Sequence, residues 1–521
     1  MTKTITPKEL RAFWKTGREV ALLDVREEGP FSEAHPLFAL SVPVSEVEIS
    51  LPTLVPRLGA PIVVYDDGEG YAERAATRIV ALGYSDVAIL EGGLSAYREV
   101  GEVYRDVNVP SKAFGELVEA IRHTPSLPAN EVKQILETQE DVVVVDARRF
   151  EEYNTMSIPR GRSLPGGELV YRIHDVAPSP ETLVIVNCAG RTRSIIGTQS
   201  LVNAGIPNRV VALRNGTIGW TLEGLGLESH QSARVDTPSN EARSHARSRA
   251  GRWAEHVGVP IIGTEDLSRF RSEAETRTLY TLDVRDPREY VAGHPAGFAS
   301  APGGQLVQAT DEWLGVRGAR VVLYDDDGVR ARMAASWLIQ MGWDVFVLSE
   351  AADLPAAEDS PISPNGQRAF RAITPHELHD RLNEVVVVDL ARSPAYRKGH
   401  IPGAYFASGP ELARDVATLD GNDPLVLTSP DGRVAAANLT EISALRSREL
   451  LILAGGTEAW HAAGYGLDSE ANYLSEPIDV YKRPYEGTDN ARANMQAYID
   501  WELELVAQLA NDGVSNFHVV R

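Results

Sequence analysis

Val142-Val143-Val144-Val145-Asp146-Ala147-Arg148 is a run of four β-branched residues closing on a carboxylate and a guanidinium. Without polar alternation, such a run suits a strand buried on both faces, as in a parallel sheet covered by helices. The phrase returns three times, as ALLDVR (21–26), LYTLDVR (279–285) and VVVVDLA (385–391). A second apolar run follows each: PIVVYDD (61–67), LVIVNCA (183–189), RVVLYDD (320–326) and PLVLTSP (424–430). Asp24 to Asp66, Asp146 to Cys188 and Asp283 to Asp325 are each 42 positions apart, and Asp389 to Ser429 is 40. Spacing held that closely four times is an internal repeat.

After the second strand each copy turns through a Gly-containing loop into a helical stretch, such as SIIGTQSLVNAGI from Ser194, and then into a short third strand such as RVVALRNG. The unit β-loop-α-β builds an open α/β domain whose ligand site lies at the carboxyl end of a strand, where loops meet helix N-termini. The expected architecture is four tandem α/β domains, each a parallel sheet flanked by helices, over 1–106, 125–230, 255–352 and 370–470. A C-terminal helical extension follows over 471–521. The Ser/Arg-rich segment after residue 228 and the Pro/Ser/Ala-rich segment after residue 350 read as exposed linkers. VNVPSKAFGELVEAIRHTPSLP (107–128) reads as linker or as helix followed by turn. In the extension Met495, Tyr498, Ile499, Leu505, Val506 and Leu509 form a helical stripe, with Thr488 or Asp489 as N-cap and Gly513 as stop. Such a stripe is expected to pack against a repeat or a second copy of the chain, making a homo-oligomer; a lid over a catalytic loop is the alternative.

A length of 521 residues suits three to five domains. The formal charge of −22 repels nucleic acid and anionic lipid, so neither a nucleic-acid nor a membrane partner is expected. No window offers about 20 uninterrupted apolar residues, and MTKTITPKELRAFWKTGREV lacks the pattern of a secretory signal, so a cytoplasmic location is expected. Cys188 is the single cysteine, which excludes an intramolecular disulfide and a cysteine-based zinc site. Thiol chemistry must run through one sulfur.

That sulfur opens the loop Cys188-Ala189-Gly190-Arg191-Thr192-Arg193, leading into Ser194 at a helix start. A thiolate there meets unpaired backbone N–H groups, the positive end of a helix dipole and two guanidiniums, so its pKa is expected to be depressed. A lone cysteine is more often a small buried hydrophobe. The Gly and two Arg that follow this one favour the reactive reading.

The chain resembles the rhodanese (sulfurtransferase) family, over about residues 1–470, as four tandem rhodanese-like domains similar to the tetra-domain thiosulfate sulfurtransferases of bacteria. The signs are Asp-x-Arg at Asp24, Asp146 and Asp283, Gly399-His400-Ile401-Pro402-Gly403-Ala404, the looser Gly293-His294-Pro295-Ala296-Gly297, and the six-residue loop opened by Cys188. Late Gly-Gly segments ending in an aromatic, Gly92-Gly93 to Tyr97 and Gly455-Gly456 to Trp460, also fit. The resemblance implies ping-pong transfer: the Cys188 thiolate takes a sulfane sulfur from a small anionic donor such as thiosulfate, becomes a persulfide, and yields it to a thiophilic acceptor such as cyanide or a thiol. No cofactor is needed beyond the covalent persulfide, and no metal is expected. Amides from Ala189 through Gly190, Arg191, Thr192 and Arg193 to Ser194 are expected to hold the persulfide, with Arg191 and Arg193 docking the donor bidentately. A mercaptopyruvate donor ranks lower, since loops for it tend to lack such cations.

Asp66, Asp325 and Ser429 stand where the nucleophile should be, and neither carboxylate nor hydroxyl forms a stable persulfide. Clustered Asp325, Asp326 and Asp327 would suit a hard cation, though such runs are usually solvated. The second repeat departs from the family pattern, with Met156-Ser157-Ile158-Pro159-Arg160-Gly161 where the fourth has GHIPGA. Arg148, Arg149, Arg160 and Arg162 read as surface or salt-bridging residues, with a positive rim as the alternative. Asp146 reads as structural. Two rival functions are a cysteine phosphatase, whose loop needs five residues between Cys and Arg where this one has four, and a non-catalytic sulfane-sulfur carrier, sensor or scaffold.

Overall fold

The computed structural model describes residues 3–349, 371–442 and 448–521. The segment after residue 350 that reads as a linker lies outside the described residues. Four parallel sheets carry the four repeats. In the second repeat the strands lie in the order Ser126–Leu127, Val210–Leu213, Leu183–Asn187, Val142–Asp146, Gly161–Ser163, each pair parallel. The other sheets keep this first-fifth-fourth-second-third order. Alternate residues of the quoted run enter different cores: Val144 packs with Ile185 and Val211, Val145 with Val184 and Val186. That is why the run carries no polar alternation. The strand order reverses between Leu183–Asn187 and Val142–Asp146, opening a crevice at their carboxyl ends. Cys188 follows directly on the first of these.

The repeats pair out of sequence order. One compact unit holds the first and fourth repeats, with Ala21–Val107 and the chain up to Tyr481; the other holds the second and third, from Asn108, together with Lys482–Arg521. Within the first unit the Asn438 amide donates to the Ser45 carbonyl at 2.8 Å, and Arg78 bridges Glu48 at 2.5 Å and Asn438 at 3.1 Å. Within the second the Trp337 indole donates to Ser200 Oγ at 2.9 Å, and buried Arg330 reaches Glu168 at 3.3 Å.

Three expectations are corrected. The Ser/Arg-rich segment does not run on as an exposed linker, because Asn240–Val257 is a helix capped by Ser239, which accepts from the Ala242 N–H. Ala242, Ala246, Ala250, Trp253 and Ala254 are buried on it, a narrow small-residue stripe that lets the helix pack closely while its Ser and Arg face water. The extension begins as a strand: Asn472–Tyr473 joins the edge of the fourth sheet beside Tyr405–Phe406, with the Tyr473 ring 5.6 Å from Phe406. The terminal helix runs Arg492–Asp512, its stripe buried at Met495, Tyr498, Ile499, Leu505 and Leu509 and half-buried at Val506. It begins after Ala491, beyond Thr488 and Asp489, and stops at Gly513 in the left-handed conformation, φ 60°. The 107–128 stretch contains the helix Val109–Arg122, against which the terminal helix packs. Among the described residues no helix is long and apolar enough to cross a membrane.

Candidate active site

The floor of the site is a buried ion pair. Arg148 donates through Nε and Nη2 to Asp146 at 2.9 and 2.7 Å, the Asn187 amide adds a third bond at 2.9 Å, and Arg148 ties in the Met156 carbonyl at 2.6 Å. Arg26–Asp24 and Arg285–Asp283 repeat the pair in the first and third copies. Arg148 is therefore a structural partner and no part of a positive rim. Arg149 bonds Gln305 at 2.7 Å, and Arg160 donates to the Leu136, Gln139 and Glu140 carbonyls. In the fourth copy no Arg stands two residues on, and burial pushes Asp389 up to about 6.

Cys188 sits between the strand Leu183–Asn187 and the helix Thr192–Asn203, and is 1% exposed. Its thiol lies 3.4 Å from Ser194 Oγ, which itself donates to the Arg191 carbonyl at 2.9 Å. In that arrangement the neutral thiol is the donor to Ser194. Burial pushes the thiol's pKa up, against the pull of Arg193 and of the Ser194 hydroxyl and amide. This reverses the expected depression: the helix end and the cation are present, but desolvation outweighs them. On its other side the loop is pinned by Thr217 and Ile218, whose amides donate to the Cys188 and Ala189 carbonyls at 2.9 and 3.0 Å. Gly216, at φ 53°, lies so close beneath that a Cβ there would be 2.8 Å from the carbonyl carbons of Cys188 and Ala189. Gly93 and Gly456 press in the same way on the carbonyls of Asp66 and Ser429, which gives the Gly-Gly motif its physical reason.

The two loop guanidiniums are already engaged. Arg191 donates to both Glu116 oxygens at 2.7 Å, to Asn215 at 3.0 Å and to Glu119. Arg193 forms a two-pronged pair with Glu152 at 2.7 and 2.8 Å. Burial opposes ionisation of Glu152, yet Arg193 and Arg148 outweigh it and hold the carboxyl at about 2. Both Arg stay charged and each already holds a two-pronged pair with a carboxylate of the protein, so a donor docking there would share these guanidiniums with Glu116 and Glu152. Gly190 lies under the terminal helix, where a Cβ would come 3.1 Å from Tyr498 and 3.3 Å from Glu502. Thr192 Oγ1 is 3.5 Å from Glu502. Beside Thr217 and Ile218 a pocket of about 350 Å³ opens, walled by Met156, Leu225, Leu227, Tyr485 and Met495.

The other three loops fill themselves. Asp66 accepts from the Ala72 and Gly68 amides at 2.9 and 3.1 Å, Asp325 from Val329 and Arg330 at 2.9 Å each, and Ser429 Oγ from Ala435 at 3.3 Å. A side chain of the protein occupies the place a bound anion would take. Asp326 and Asp327 are bound to Arg330 and to Tyr171 and Arg247, which accounts for the acidic run as ion-pair partners. Elsewhere His174, Glu241 and His245 offer ligand atoms within 4.8 Å of one another. Glu241 is 76% exposed and pairs with His245 as an ordinary i,i+4 helix contact.

Glu116, Glu119, Glu152, Asn215 and Glu502 complete this site and were not among the residues expected from sequence. For Glu116 and Glu119 the signal was their helical spacing behind Lys112, as Lys112-x-x-x-Glu116-x-x-Glu119; Glu152, Asn215 and Glu502 lie outside that pattern.

The fold agrees with that of a solved structure similar over the whole chain, and two further structures are similar to about a fifth of it. The crystal structure of thiosulfate sulfurtransferase from Pseudomonas aeruginosa is similar over 100% of both chains, with 52% identity and a TM-score of 0.97. A rhodanese-related protein from Thermoplasma volcanium is 21% identical over 19% of this chain and 100% of its own, TM-score 0.19. A rhodanese-like domain protein from Staphylococcus aureus is 22% identical over 20% of this chain and 100% of its own, TM-score 0.17. No curated protein matches. The rhodanese-like domain model matches residues 6–100, 128–223, 265–352 and 374–463, so that with more than half its length accounted for the chain belongs to the rhodanese family.

Proposed function

We propose that this protein is a sulfurtransferase that moves a sulfane sulfur from thiosulfate, or a similar anionic donor, to a thiophilic acceptor such as cyanide or a thiol, with Cys188 as the carrier. The observation that carries the reading is the placement of the only thiol: of four equivalent strand-end loops, one holds a cysteine and three hold a side chain that caps its own helix. The name of the Pseudomonas aeruginosa relative supports the donor.

The Cys188 thiolate attacks the outer sulfur of thiosulfate. A new S–S bond forms, the S–S bond of thiosulfate breaks, sulfite leaves with the electron pair, and Cys188 becomes a persulfide anion. The acceptor then takes the outer sulfur, giving thiocyanate from cyanide, and the thiolate returns. No cofactor enters. Loop amides from Ala189 to Ser194 hold the diffuse charge of the persulfide, and Ser194, by turning its hydroxyl from the Arg191 carbonyl to the sulfur, becomes a donor to it. Arg193, paired with Glu152, acts through its field, and Arg191, paired with Glu116 and Glu119, by fixing the loop. The charge of −22 and the single cysteine suit a cytoplasmic protein without polyanionic partners.

Intact-mass spectrometry after addition of thiosulfate tests the assignment. The parent gains the mass of one sulfur atom and Cys188→Ala gains none. Loading without repeated thiocyanate release would make the protein a sulfur carrier instead; no loading would remove the reading.

A further inference from the structure

The terminal helix places a carboxyl against the loop. Glu502 is 0% exposed, 310 residues downstream of Thr192 in the chain, and its Oε1 accepts from the Tyr498 hydroxyl at 2.8 Å. Its Oε2 has no hydrogen-bond partner among the described residues, and it is this oxygen that lies over Gly190. A buried carboxylate oxygen left unpaired is expensive, whereas a protonated carboxyl carries a donor that a neighbouring acceptor can use.

The charges facing Glu502 come from three elements. The helix Val109–Arg122 contributes Lys112 and Glu116; the loop contributes Cys188 and Arg191; its own helix contributes Tyr498. Arg191 is already committed to Glu116 and Glu119, and Lys112 is buried over the rings of Tyr485, Tyr498 and Trp501, at 5.6, 5.2 and 5.6 Å. Burial first and the charge of Glu116 second push the Glu502 carboxyl up to about 8, against Lys112, Tyr498 and Arg191. Its charge in turn raises Cys188.

We propose that Glu502 is a positioning residue of the sulfur-transfer site: neutral, it closes the loop over Gly190 and leaves an anion-accepting field around Cys188; ionised, it opposes both the thiolate and an incoming anionic donor. This rests on the sulfurtransferase reading for the donor, but not for the thiol.

Two measurements separate the parts. Because Cys188 is the only cysteine, the pH dependence of its alkylation by iodoacetamide, a neutral reagent, reports its ionisation without any sulfur transfer. In Glu502→Gln the fixed neutral side chain should raise the Cys188 ionisation constant about tenfold, the size of a one-unit like-charge shift. The second measurement is the ratio of kcat/KM for thiosulfate in Glu502→Gln to that in the parent. Whatever its value at pH 6.5, it should rise about tenfold by pH 9.5. Tyr498→Phe, which removes a donor favouring the charged carboxylate, should move that rise to higher pH. A ratio flat with pH, or an unchanged alkylation midpoint in folded Glu502→Gln, overturns the proposal. A shifted midpoint in a protein that thiosulfate fails to persulfurate would leave Glu502 coupled to the thiol and remove the sulfurtransferase reading instead.

Discussion

Gly216→Ala asks whether the loop is held from below. At φ 53° an alanine costs about 1 kcal/mol in backbone conformation alone. Its methyl would stand 2.8 Å from the carbonyl carbons of Cys188 and Ala189, and nearer still to the Cys188 oxygen, all of them backbone atoms that no rotamer change can move aside. Relief to an ordinary carbon contact requires the loop, or the segment from Asn215, to shift by roughly 0.5 to 1 Å. The amides of Thr217 and Ile218 hold those same two carbonyls, so the shift also lengthens two hydrogen bonds. A misplacement of that order at a nucleophile costs about 100-fold in rate, equivalent to about 3 kcal/mol in the barrier. The assay is steady-state thiocyanate release, paired with a thermal melt. Gly226→Ala serves as the control in the same unit, since a methyl there meets nothing within 4 Å. If Gly216→Ala transfers sulfur within twofold of the parent while folded, the loop is not placed by this contact and the account of the Gly-Gly motif fails.

Arg148→Ala leaves Asp146 buried with only the Asn187 amide and backbone for partners, and should cost about 3–5 kcal/mol, read as a lower melting temperature. Asp66→Ala removes a helix-capping carboxylate and should cost about 1 kcal/mol in unfolding, with the transfer rate at Cys188 within twofold of the parent; a larger loss of rate would count against the self-filled loops. At the site itself two carboxyls contribute to the pH dependence of stability in opposite directions. Glu152, held at about 2 in the folded chain, contributes stability that is present above its ordinary value of 4.5 and lost as pH falls from there to about 2. Glu502, pushed up to about 8, keeps its proton in the folded chain where the unfolded chain has lost it, so stability falls as pH rises from 4.5 to about 8. Glu502→Gln should therefore melt higher than the parent at pH 8, and by less at pH 5; a variant that melts lower at pH 8 would refute the buried acid.

The strands, the fourfold spacing and the strand-end sulfur were legible because each is written locally: an apolar run, a fixed interval, a Cys before Gly and two Arg. The helix stop at Gly513 was legible for the same reason. The helix Asn240–Val257 was not, because its buried face is built from alanines set four apart among Ser and Arg, and composition outweighs so narrow a stripe. The direction of the Cys188 shift was misread because sequence displays the charges beside a group but not how deeply it is buried, and here burial wins. Glu116 lies 75 residues from Arg191, Glu152 41 from Arg193, and Glu502 310 from Thr192, so the filling of both forks is a property of the folded chain alone. The pairing of the first repeat with the fourth and the second with the third is likewise tertiary, since no local signal orders equivalent domains.

Four copies of one loop differ in how each satisfies the helix N-terminus that follows it. A helix N-terminus needs its free amides satisfied, and a carboxylate does this best, combining a hydrogen bond with a charge that suits the dipole. Asp66 and Asp325 take that solution, and Ser429 a weaker neutral version. Cys188 takes neither, since a buried neutral thiol is a poor acceptor and leaves the amides at Ala189–Ser194 largely uncommitted. The second repeat is held together instead from outside its loop, by Glu116 and Glu119 on Arg191, Glu152 on Arg193, and the terminal helix over Gly190. Those supports do what a capping carboxylate would do for the loop's geometry without occupying its centre. Restoring the carboxylate, as Cys188→Asp, should thus give a better-capped and more stable second repeat with no sulfur transfer, whereas Cys188→Ala should gain no such stability. Equal melting temperatures for the two variants would show that the amides of the reactive loop are satisfied by something other than the residue at position 188.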